Sequence, residues 1–74
     1  GVLARAQDDI AEAVRLAPEN PDLLVHAGNV AGISGEKEAA LGLYAKAIRV
    51  APDSKAAEAA REALAANMAT SPEQ

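Results

Sequence analysis

The chain repeats itself. Sliding the 74-residue sequence over itself by 34 positions sets residues 1–20 on residues 35–54 and gives seven identities without a gap. Gly1 meets Gly35, Ala6 meets Ala40, Ala11 meets Ala45, Ala13 meets Ala47, Arg15 meets Arg49, Ala17 meets Ala51 and Pro18 meets Pro52. Val14/Ile48, Leu16/Val50, Glu19/Asp53 and Asn20/Ser54 keep their chemical character, and Ile10 and Tyr44 are both large and apolar. A period of this length marks stacked supersecondary units, each covering its apolar face only against its neighbours.

The unit is helical. Leu3, Ala6, Ile10, Ala13, Val14 and Ala17 recur at three- and four-residue steps, which predicts an amphipathic helix over residues 2–17. Pro18-Glu19-Asn20-Pro21 stops it, and Asn20 as N-cap with Pro21 as first helical residue starts a second helix over 21–33. Leu24, Ala27, Gly28 and Ala31 share one side of that helix, and Gly32-Ile33-Ser34-Gly35 ends it with a glycine suited to a left-handed cap. A third helix spans about 36–51, acidic at its start and basic near its end. Pro52-Asp53-Ser54 repeats the turn, and Asp53 or Ser54 caps a fourth helix over 54–68. Residues 1–69 thus form one all-α domain of four antiparallel helices, followed by a tail, 70–74, expected to be disordered.

Composition says what such a stack is made of. Half of the residues are hydrophobic, but 20 of them are Ala; seven Leu, five Val, three Ile, Met68 and Tyr44 supply all the bulk. The core must therefore be aliphatic and set between closely approaching backbones. A domain of this size buries only about 60% of its unfolded surface, so the chain reads as a helical piece of something larger, or as an oligomer. Without Cys there is no disulfide framework, thiolate nucleophile or zinc–cysteine site, and the compartment stays undetermined. A net charge of −4 is ill suited to neutralising phosphates, so no nucleic-acid partner is expected. No apolar run approaches the ~20 residues of a membrane span, and the chain begins without Met or a signal-type segment. It is expected to be a soluble fragment, with the cytoplasm favoured.

With these residues in view, the chain resembles the tetratricopeptide repeat family, whose units are 34-residue helix-turn-helix pairs. Residues 21–54 look like one complete repeat. Leu24 stands where the family often has Trp, Ala27-Gly28 where it has Leu-Gly, and Ala31 where it has Tyr; Ala40, Tyr44, Ala47 and Pro52 match the second helix. Residues 1–20 match the second half of a preceding repeat. Residues 55–69 take the place of the next first helix, where Glu58 and Arg61-Glu62 depart from the pattern and resemble the polar helix that caps such arrays. Ala57, Ala60 and Leu64 would cover the third helix.

The resemblance implies a helical solenoid, a non-enzymatic protein–protein interaction module whose concave face holds a peptide or partner helix. Carried over, that face is Asp22, Val25, His26, Asn29 and Ile33, continued by Ala56, Ala59, Ala60 and Ala63. Asn29 can hold a peptide amide bidentately. The basic residues with which chaperone-binding members clamp a terminal carboxylate are replaced by Val25, Ala56 and Ala60, which argues against acidic chaperone tails.

No residue constellation competes with this reading. His26, flanked by Asp22 and Asn29 on one helix side, reads as an exposed residue paired with a carboxylate rather than a general base. Asp8 and Asp9 point in different directions, with Asp9 able to pair with Arg5, and Glu36 and Glu38 suit a helix start. Gly28, Gly32 and Gly35 do not form a phosphate loop: Gly28 fits close helix packing and Gly35 a turn. Tyr44 falls on a core position. Neither catalytic residues, metal nor cofactor are expected. A second reading is self-association, since the stripe Leu3, Ile10 and Val14 lacks a covering helix and would favour a homodimer. A third makes the chain a docking or regulatory appendage of a larger enzyme or transporter.

Overall fold

The computed structural model describes residues 2–69, with side chains described for residues 8–66. Four helices follow in order: α1 Val2–Leu16, α2 Pro21–Ile33, α3 Lys37–Val50 and α4 Lys55–Ala69. No strand occurs among the described residues. The helices pack antiparallel and in sequence. Among the described residues the backbone of α1 approaches that of α2 alone, whereas α3 lies against both α2 and α4, and α2 also reaches α4.

The turns explain the boundaries. Asn20 is extended (φ −87°, ψ 108°), and its side-chain oxygen accepts from the amides of Asp22 and Leu23, with Pro21 at the first helical position. Two of the orphan amides of α2 are thereby satisfied. At the other end Gly35 adopts φ 87°, while the Glu36 amide donates to Ala31 O (2.9 Å) and the Gly35 amide to Gly32 O (3.1 Å). This pair of bonds is a Schellman closure, and its positive φ is why a glycine stands there. Ser54 caps α4: its Oγ accepts from the Ala57 amide at 3.0 Å and donates to Ala51 O at 2.7 Å.

Each expected helix end lies within one residue of the observed one, and three of the shifts have one cause. Glu36 (ψ 72°) and Ala51 (ψ 70°) are cap positions, half inside the helix by hydrogen bonding but outside it by backbone angle, and Ser54 caps α4 through its side chain. α1 stops at Leu16 rather than Ala17, and α4 continues to Ala69. The expected disordered tail, 70–74, lies outside the described residues.

The repeat is written in the hydrogen bonds. Ala17 donates to Ala13 O (2.9 Å) as Ala51 does to Ala47 O (3.1 Å). Asn20 donates to Ala17 O as Ser54 does to Ala51 O, both at 3.1 Å, and Leu24 donates to Asn20 O (3.0 Å) as Glu58 does to Ser54 O (3.2 Å). Each pair is offset by 34 residues, so the two Pro turns are one structure used twice.

Leu24, Ala31, Ala40, Tyr44, Ala47 and Ala60 form the core, with Val14, Leu43, Ile48, Val50 and Leu64 packed around it. Leu24 is the one large side chain that is fully buried among the described residues. Small residues do the rest. A Cβ built on Gly28 would lie 2.6 Å from Tyr44 Cε1 and 2.9 Å from Cδ1, so the ring of α3 rests directly on the backbone of α2. The expected close packing at Gly28 and burial of Tyr44 are both present.

Candidate interaction surfaces

Asp22, Val25, His26, Asn29 and Ile33 fall on one side of α2, opposite Leu24, Gly28 and Ala31. Asp22, His26, Asn29 and Ile33 are exposed, and Val25 is half-buried where it packs against the core edge. Ile33, at 74% exposure, is the most exposed large apolar residue on this face. His26 makes no hydrogen bond or ion pair with Asp22 or Asn29 among the described residues, so the expected carboxylate pairing is not formed.

Asn29 has a partner that periodicity did not reveal. Tyr44 Oη donates to Asn29 Oδ1 at 2.6 Å, across 15 residues of sequence. The contact follows from Gly28: with no side chain there, the ring crosses α2 closely enough for its hydroxyl to reach the next residue. Burial pushes the Tyr44 hydroxyl above the ordinary tyrosine pKa. One lone pair of the Asn29 carbonyl is thus engaged inward, which orients the carboxamide and leaves its amino group to donate outward.

The expected continuation across α4 needs correction. Ala56 and Ala60 are buried, at 7% and 0% exposure, and face the neighbouring helices rather than a groove. An Ala-rich helix has apolar positions on all sides, so sequence spacing could not say which side its neighbours cover. Ala57, with Ala60 and the half-buried Leu64, does make the inward face expected for covering α3. Ala59 is exposed and Ala63 half-buried.

Of the expected self-association stripe, Ile10 and Val14 are half-buried, and the side chain of Leu3 lies outside the described residues, as does that of Arg5, the expected partner of Asp9. Ile10 and Val14 line a concavity of about 530 Å³ between α1 and α3, floored by Ala27, Val30 and Ala31 of α2. The α1 wall of this surface belongs to the stripe expected to lack a covering helix, whereas its α3 wall, Ala39 and Leu43, was not expected from the sequence.

Among the described residues no polar or charged residue is buried, no buried side-chain nitrogen or oxygen lacks a partner, and no three His, Asp or Glu converge as a metal site. No described helix is long and apolar enough to cross a membrane.

Fold and surfaces together define a small four-helix all-α domain with antiparallel packing. No protein-family model matches the chain, and comparison with curated proteins and with solved structures gives no significant match.

Proposed function

We propose that this chain is a tetratricopeptide-like segment working as a non-enzymatic protein–protein interaction module, with the outer face of α2 presented to a peptide or partner helix. The observation that carries the reading is the duplicated Pro turn, whose backbone bonds recur at a 34-residue offset and join α1 to α2 as they join α3 to α4. A stack built this way holds its surface in place before a partner arrives, so binding orders the partner but not the scaffold. Asn29 is the focus of that surface, because Tyr44 fixes its orientation from beneath. Val25 and Ile33 add apolar contact on either side, and a helix or extended segment laid along α2 would meet all three.

Affinity capture tests this, comparing wild type with the double variant Asn29→Ala, Val25→Asp and identifying the retained proteins by mass spectrometry. A partner held by wild type and lost by the variant, at unchanged helicity, is the expected result. Identical retained sets would sink the proposal.

A further inference from the structure

We infer that the trough between α1 and α3 is a second docking site, and that it takes a basic amphipathic helix from another protein. Its walls are Ile10, Ala11 and Val14 on one side and Ala39 and Leu43 on the other. Taking about 100° per residue, Ala27, Val30 and Ala31 on its floor sit roughly 140° around the α2 axis from the Asp22–Ile33 face, so the two surfaces are separate. The lining is aliphatic and rich in Ala, which lets a backbone come close. A helix set between two others places its own ridge of side chains in such a trough.

Charge identifies the occupant. Asp8 and Glu36 are the charged residues lining the trough, and neither side chain has an ion pair or hydrogen bond among the described residues; Glu36 caps α3 by position alone. An apolar floor edged by two carboxylates complements Leu, Ile or Val at helical spacing flanked by Lys or Arg. A second copy of this chain fits poorly, because at net charge −4 it would bring like charge to the same rim.

The probe is a synthetic Leu/Lys amphipathic helix of about 14 residues, roughly four turns, carrying a fluorophore and titrated by anisotropy. Its Leu/Glu counterpart is the control. The Lys peptide should bind, and the Glu peptide should bind at least about tenfold more weakly. Asp8→Asn with Glu36→Gln should weaken the Lys peptide by about three- to tenfold. Ala39→Lys, at an exposed position on the wall, should abolish binding without lowering the melting temperature, and Asn29→Ala should leave affinity unchanged. Equal affinity for the two peptides overturns the proposal. So does binding that survives Ala39→Lys but is lost in Asn29→Ala, which would move the peptide to the α2 face. A dimer seen by light scattering and broken by Ile10→Lys would give the trough to a second copy instead, and would equally overturn it.

Discussion

Two glycines of this chain do opposite jobs, and the same substitution separates them. Gly28 lies under the Tyr44 ring, where an added methyl would sit 2.6 Å from a ring carbon. The ring is buried and cannot swing away cheaply. Overpacking of this kind costs about 1–3 kcal/mol, more than the gain of about 1 kcal/mol that Ala brings to a helix interior. Gly42 lies inside α3, exposed, with nothing within 4 Å of an added Cβ. Gly42→Ala should therefore raise the melting temperature while Gly28→Ala lowers it, each kcal/mol being about 4–8 °C in a domain of this size. A Gly28→Ala variant that melts at or above wild type would refute the close-packing account. Tyr44 offers a second residue-scale check. Its folded-state pKa is raised by burial, so the neutral phenol is the form the fold retains. Its contribution is complete below the unfolded tyrosine value near 10 and is lost as pH rises through the higher folded value. Thermal melts at about pH 9 and pH 11 should show a steeper alkaline loss for wild type than for Tyr44→Phe. At neutral pH, Tyr44→Phe should cost about 0.5–1.5 kcal/mol for the lost bond to Asn29.

At the scale of elements, the turns decide where helices begin. Asn20 and Ser54 hold the same position in the repeat and each satisfies amides of the helix that follows. Asn20→Ala and Ser54→Ala should each destabilise by about 1 kcal/mol, measured by urea unfolding. Asn20→Ser, which borrows the other turn's cap, should avoid most of that loss. The Arg15–Glu12 pair is a poor handle by comparison: at 2.6 Å it is short, but both side chains are more than half exposed. These elements were legible in the sequence because Pro, Asn, Ser and Gly act locally; Gly35 and Asn20 each do what their neighbours in sequence require. The phase of α4 was not legible, since its alanines fall on every side and do not say which of them the neighbouring helices cover; Ala56 and Ala60, expected on an open face, do not occupy it. The Tyr44–Asn29 bond joins two helices, and its one sequence sign was the glycine beside Asn29.

The whole molecule is thin. Its Cα atoms extend over 37 × 33 × 15 Å, the short dimension matching two layers of helices about 10 Å apart. A slab of this shape buries small residues and leaves much of each helix as surface, which is how a chain with 20 Ala and one aromatic residue makes a core at all. It also explains why the surfaces, rather than the interior, carry the functional reading. The α2 face could be read from the resemblance residue by residue, whereas the trough depends on how far α1 stands from α3, a tertiary distance that no local pattern encodes. The most direct measurement of the central claim is calorimetric titration of the captured partner, made in parallel against wild type and the Asn29→Ala, Val25→Asp variant. Loss of one polar contact and burial of a charge should weaken binding at least about tenfold, with the variant still folded at the assay temperature although it melts lower, having lost the Tyr44–Asn29 bond and gained a charge at half-buried Val25. Equal affinities, or a loss that merely tracks unfolding, would contradict the account.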